Sequence, residues 1–100
     1  MFGVNPYIDS IKSLCKDNHV KELFLFGSAL NESFTSSSDI DLLVDFHSMP
    51  PREYTASYFK LKFSLEEIFG RSVDLLEKKE LRNPYFIQDI DAKKQLIYAS

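Results

Sequence analysis

The stretch LFLFGSALNESFTSSSDIDLLVDF, Leu23 to Phe46, decides how this sequence is read. Leu23-Phe24-Leu25-Phe26 is a nearly continuous apolar run, the pattern of a strand buried on both faces, and it extends back to Val20. Gly27-Ser28 breaks it. A glycine at that point lets the backbone come close to a ligand. Residues 29–38 are small and polar, fit for a short helix followed by a loop. Asp39-Ile40-Asp41-Leu42-Leu43-Val44 then opens a second strand, Ile40 to Phe46. Residues two apart in a strand point to the same face, with Cα atoms roughly 6.5–7 Å apart. Asp39 and Asp41 therefore share a face and can converge on one point, while Ile40, Leu42 and Val44 face apolar packing.

Outward from this stretch the signals alternate between helix and strand. Asn5-Pro6 reads as a helix start, with Asn5 as N-cap and Pro6 in the first turn. Ile8, Ile11, Leu14 and Cys15 follow at helical spacing, and the helix closes near His19. After a loop at Ser48 to Pro51, Arg52 to Phe69 is the longest helix. Its core stripe is Tyr54, Tyr58, Leu61, Leu65 and Ile68, and Gly70 ends it. Phe59 and Phe63 lie beside the stripe; they either widen the core or form a face for a partner. Ser72 to Leu76 reads as a third strand, Asn83-Pro84 starts a short helix to about Asp91, and Gln95 to Tyr98 reads as a fourth strand. The order predicts an α/β (α+β) fold: a mixed sheet of about four strands with helices packed on it, within one domain spanning residues 1–100.

Asp74 lies in the strand-like Ser72-Val73-Asp74-Leu75-Leu76, where aspartate is depleted. With Asp39 and Asp41 it makes a third carboxylate. Carboxylates held side by side repel. Magnesium, which prefers carboxylate oxygens together with substrate phosphates, would compensate, and three carboxylates could hold two ions roughly 3.5–4 Å apart. If residues 28–33 start a helix, its free N–H groups form an anion site, to which the Ser28 hydroxyl could add a hydrogen bond. Phosphate donors beside a carboxylate cluster suit attack on the α-phosphate of a nucleoside triphosphate. Asp45 shares the alternation but reads as a charge at the strand's far end. His19 and His47 lack partners at zinc spacing and read as surface residues. Cys15 reads as core packing.

Composition narrows the options. The 100 residues carry 12 Lys and Arg against 15 Asp and Glu, a net charge of −3, so a broad basic surface for nucleic acid is not expected. One cysteine among 44% apolar residues excludes an intrachain disulfide and suits a reducing, cytoplasmic setting. The sequence shows neither a signal-peptide pattern nor an apolar run of membrane-spanning length.

Gly27-Ser28, ten residues, then Asp39-Ile40-Asp41, with Asp74 on a later strand after the long helix, resembles the signature of the minimal nucleotidyltransferases, within the DNA polymerase beta-like superfamily. The likeness covers nearly the whole chain. It implies magnesium-dependent transfer of a nucleotidyl group from ATP or a related triphosphate. Asp39, Asp41 and Asp74 would be metal ligands and catalytic carboxylates, and Gly27 and Ser28 would hold the nucleotide's phosphates. It also implies a HEPN-type helical partner, with this chain as the antitoxin that transfers AMP to a tyrosine hydroxyl of the HEPN toxin. Where many members carry Gly-Ser-x-Ala-Arg-Gly, this sequence has Asn31 and Glu32 at the Arg and Gly positions, so triphosphate affinity would need another cation, such as Lys78, Lys79 or a partner's arginine. Two alternatives stand beside this reading: a binding module that neutralises a HEPN partner by contact alone, and a catalytic subunit that modifies a small molecule.

Overall fold

The computed structural model describes residues 3–30, 34, 35 and 37–100. The elements are α1 (Ile8–Asp17), β1 (Val20–Phe26), β2 (Ile40–Phe46), α2 (Pro51–Phe69), β3 (Val73–Glu77), α3 (Pro84–Lys93) and β4 (Gln95–Ala99), with short 3-10 turns at Asn5–Tyr7, Gly27–Leu30 and Lys78–Glu80. The strands form one mixed sheet in the order β3-β2-β1-β4. β1 runs antiparallel to β2 and to β4, whereas β2 and β3 are parallel. A parallel pair needs a long crossover, and α2 supplies it.

Alternation along the strands divides the sheet into two unlike faces. Leu23, Leu25, Ile40, Leu42, Val44, Phe46, Val73 and Leu75 pack with Ile11 and Cys15 of α1 and Leu61, Leu65 and Phe69 of α2 in one large core. Leu61 and Leu65 are fully buried there, so truncating either to Ala should cost about 2–5 kcal/mol. On the opposite face, Phe24, Phe26 and Leu43 meet Ile90 of α3, with Leu30, Leu76 and Leu81 around them. This second core is small, and it leaves part of that face open.

The helix boundaries follow local chemistry, with two departures from expectation. Asn5 does not cap α1. Asn5-Pro6-Tyr7 forms a 3-10 turn, and α1 begins at Ile8 with Tyr7 in the cap position and no side-chain cap. Pro6 sets φ for a tight turn as readily as for a first helical turn, so the dipeptide does not distinguish the two. At the other end the Asn18 side chain donates to the Leu14 carbonyl at 2.9 Å, and His19 takes a left-handed φ of 59° to start β1. Pro51 occupies the first turn of α2, where its missing N–H costs nothing. Gly70 ends α2 with φ 67° and its N–H on the Glu66 carbonyl at 2.8 Å. Asn83 caps α3, its side chain accepting from the backbone N–H groups of Tyr85 and Phe86. The short helix expected after Gly27 is a 3-10 turn as far as Leu30; Asn31, Glu32 and Ser33 lie outside the described residues.

Candidate active site

The registers place three side chains in one row across the sheet. Phe26 of β1 is opposite Asp41 of β2, and Asp41 is opposite Asp74 of β3. The next row inward is Phe24, Leu43 and Leu76, all apolar. The open face therefore changes from grease to carboxylate in one step of two residues, and the change falls where β1 turns away at Gly27. Asp39 lies just before β2, on the same alternation as Asp41. Asp45 lies four residues along from Asp41, about 13 Å away, opposite Glu22, which fits its reading as a charge at the far end.

Gly27 is fixed by this geometry. Its φ is +72°, and a Cβ built on it would overlap the Asp41 carboxylate oxygen and lie 3.1 Å from that residue's Cγ. Only glycine lets the turn pass so close to Asp41. The backbone N–H of Ser28 donates to the same carboxylate. Gly27 and Ser28 thus do reach the carboxylate end of the sheet, as their order in the sequence suggested.

Asp41 is half-buried, and its acid strength reflects that. Burial holds its carboxyl above the ordinary carboxylate range, the charges of Asp74 and then Asp39 push in the same direction, and the Ser28 N–H pulls the other way. Asp39 and Asp74 are exposed. The three carboxylates share one end of one face, but among the described residues no set of three or more His, Cys, Asp or Glu side chains is gathered closely enough to hold a metal ion. Like charges with wet surroundings spread apart. The donors still suit a hard dication, because magnesium needs only one or two carboxylates when substrate phosphates complete its shell.

The loop that delivers Asp39 is held by Arg71, which no motif in the sequence marks out. Its guanidinium donates to the carbonyls of Thr35 and Ser38 at 3.1 and 3.2 Å and lies over the Phe34 ring, 4.6 Å from its centroid. Thr35 and Ser38 close a turn on each other through three further bonds, and Ile40 N–H donates to the Ser72 carbonyl at 3.0 Å. On the other side of Arg71 the chain enters β3, where Val73 N–H is held by the Glu66 carboxylate and the Tyr58 hydroxyl donates to the Leu75 carbonyl. Arg71 therefore ties the approach to Asp39 to the approach to Asp74.

A cleft of about 750 Å³ opens at this end of the sheet. One wall is Gly27, Ser28, Asp41 and Asp74. The other is α3, through Phe86, Asp89, Ile90 and Lys93, with Phe26, Leu30 and Leu76 as apolar floor. Phe86 meets Phe26 edge to face, with ring centroids 6.4 Å apart. The α3 wall was not legible in the sequence, because helical spacing does not tell which face of the sheet a short helix covers. Lys93 is the cation among the described lining residues, paired with Asp89 at 2.9 Å. Lys78, one of the cations the sequence offers for the phosphates, pairs with Glu22 at 3.6 Å. His19 and His47 are exposed, as expected, and among the described residues no helix is long and apolar enough to cross a membrane.

Residues 8–97 match the family model described as a nucleotidyltransferase domain. The chain therefore belongs to the nucleotidyltransferase-domain family, a family of nucleotidyl-transferring enzymes, in agreement with the resemblance carried by Gly27-Ser28 and Asp39-Ile40-Asp41. Among its relatives, a candidate protein adenylyltransferase of Methanocaldococcus jannaschii is 39% identical over 88 residues, covering 87% of this chain and 85% of the relative. Two solved structures share the fold. One, described as a candidate minimal nucleotidyltransferase, superposes with a TM-score of 0.77 at 24% identity, covering 92% of this chain and 90% of the other. The second is a Shewanella oneidensis MNT antitoxin in complex with its tri-AMPylated HEPN toxin, with a TM-score of 0.62 at 20% identity, covering 93% of this chain and 70% of the other.

Proposed function

We propose that this chain transfers AMP from ATP, with magnesium, to a tyrosine hydroxyl of a HEPN-type helical partner, and so acts as an antitoxin. The observation that carries the reading is the register that sets Asp41 opposite Asp74, beside a Gly27-Ser28 turn that only glycine can make. The relative named for protein adenylylation and the solved antitoxin with its AMP-modified partner support the choice of nucleotide and acceptor.

In this reading Asp39 and Asp41 would hold magnesium, and Asp74 would complete the set. The ion, when bound, would neutralise phosphate oxygens and act as a Lewis acid. The Gly27 turn and Ser28 would hold the β- and γ-phosphates, and the floor and α3 wall of the cleft would exclude water from one side of the nucleotide. The acceptor's phenolic oxygen forms a bond to the α-phosphorus. The bond from that phosphorus to the bridging oxygen breaks, and pyrophosphate leaves. Asp74, exposed at the end of the row, would orient the phenol and take its proton.

The test is intact mass spectrometry of the partner after incubation with this chain, ATP and magnesium. An adenylyl mass shift on the partner, lost with Asp39→Asn and mapped to a tyrosine, is the expected result. Neutralisation of the partner that persists in the Asp39→Asn protein, with no mass shift, would establish instead that the chain acts by contact alone.

A further inference from the structure

The outer face of α2 carries two phenylalanines that lie outside the main core, Phe59 touching it only through the edge of Tyr58. Phe59 is 46% and Phe63 58% exposed, and their rings stack on each other with centroids 5.9 Å apart. At about 100° per residue, Arg52, Ala56, Phe59, Phe63 and Glu67 fall within roughly 80° of arc, centred opposite Leu61 and Leu65. All five are exposed. The stripe therefore faces directly away from the core, with a cation at one end, an anion at the other and apolar groups between.

That order is complementary to itself when reversed. Set two such helices antiparallel about a two-fold axis near residues 59 and 60. Arg52 then lies level with Glu67 of the second copy, and Ala56 lies level with Phe63. Phe59 meets Phe59 at the axis, and the same contacts recur on the other side. A small residue opposite each outer ring allows the close approach, about 8–10 Å between axes, that helix packing requires. The charges close both ends with opposite signs. Lys60, exposed on the helix, flanks the axis. We propose that α2 pairs antiparallel with α2 of a second copy of this chain, through Phe59 and Phe63 and the reciprocal Arg52–Glu67 pairs. The contact is one helix wide, which places it among the small, reversible interfaces, below about 1,200 Å². α2 covers the face of the sheet opposite the cleft, so pairing leaves the cleft open, and the inference does not depend on the transfer reaction.

Sedimentation equilibrium of the purified chain over a range of concentrations tests this. A monomer–dimer equilibrium is expected. Arg52→Glu and Glu67→Arg should each weaken dimerisation by roughly tenfold, since each swap turns two attractive pairs into repulsive ones. The double variant Arg52→Glu/Glu67→Arg should return it to near the original constant. Phe63→Ser should abolish it. These positions face solvent, and unchanged melting curves would show that each variant folds. A chain that is monomeric at every concentration overturns the proposal. So does a double swap as weak as the single swaps. A helical partner that needs Phe63 while the chain stays monomeric would assign the stripe to that partner and overturn it too.

Discussion

Replacing Asp41 by Asn should make the metal-free protein more stable while removing its capacity for transfer. Asp41 and Asp74 are opposite each other on adjacent strands, which sets their Cα atoms about 5 Å apart. Burial opposes ionisation of Asp41 most, and the charges of Asp74 and then Asp39 add to the same side; repulsion between partly hydrated carboxylates on facing positions is roughly 1 kcal/mol. Asn keeps the shape of the side chain, its close fit under Gly27 and an oxygen for the Ser28 N–H. The gain of about 1 kcal/mol should therefore not be offset by lost packing, and it corresponds to a rise in Tm of about 4–8 °C for a domain of this size. The pH dependence has a definite sign. Asp41 is held above the usual carboxylate range, so the folded state binds its proton more readily than the unfolded chain does. The penalty is complete above the folded pKa and fades as pH falls through it toward the unfolded value. The Tm advantage of Asp41→Asn should accordingly be largest near neutral pH and shrink on acidification. Thermal melts in chelator, across that pH range, measure it. Added magnesium should then raise the Tm of the unsubstituted protein more than that of the variant. A clear fall in Tm for Asp41→Asn at neutral pH would refute the reasoning, because it would mean that the carboxylate is a structural hydrogen-bonding group rather than one held against repulsion.

The neighbouring residues give three further expectations. Gly27→Ala must hold a left-handed φ and displace Asp41, so urea unfolding should show a loss of more than about 2 kcal/mol together with loss of transfer. Arg71→Met removes both bonds to the Thr35 and Ser38 carbonyls; it should cost about 1–2 kcal/mol and speed amide exchange at Ser38 and Ile40, whereas amides in β1 should exchange as before. Burial pushes the Cys15 thiol up to about 12, so alkylation near pH 8 should be slowed by roughly a thousandfold in the native protein and become fast on unfolding; prompt labelling of the native protein would contradict the packing of α1.

Much of this arrangement could be read from the sequence, and what could not has a physical reason. Leu23 to Phe26 announces a strand because both of its faces are packed, one by α1 and α2 and the other by α3. Asp39 and Asp41 stand out because they interrupt an apolar alternation. Their pairing partner could be guessed only by type: Asp74 is another strand aspartate, but nothing along the chain says that β3 lies beside β2 or that the register sets Asp74 opposite Asp41. Tertiary packing decides that, through Val73 and Leu75 under α2. The second wall of the cleft was silent for a related reason. Phe86 and Ile90 have the spacing of any amphipathic helix, and only the placement of α3 turns Phe86 toward the carboxylates. Arg71 was silent because it acts on backbone carbonyls, which every loop possesses. The start of α1 misled because proline suits both kinds of turn.

The two-faced sheet also explains how four short strands can hold the carboxylates in register. Even-numbered positions of β2, from Ile40 through Leu42 and Val44 to Phe46, are all buried beneath α1 and α2, and the odd-numbered Asp41 and Asp45 remain partly exposed on the other face. A slip of β2 by one residue would exchange the two sets. Asp39, Asp41 and Asp45 would then enter a core whose described members are all apolar, at several kcal/mol each, while four apolar side chains would move to the half-open face. Competition from that alternative is negligible, so the packed face specifies the geometry of the open one. A loss of apolar side chains beneath the sheet, as in Leu42→Ala, should therefore lower stability without moving Asp41 relative to Asp74. Misplacing the carboxylates should require changes at Gly27, at Arg71 or in the β2–β3 register itself.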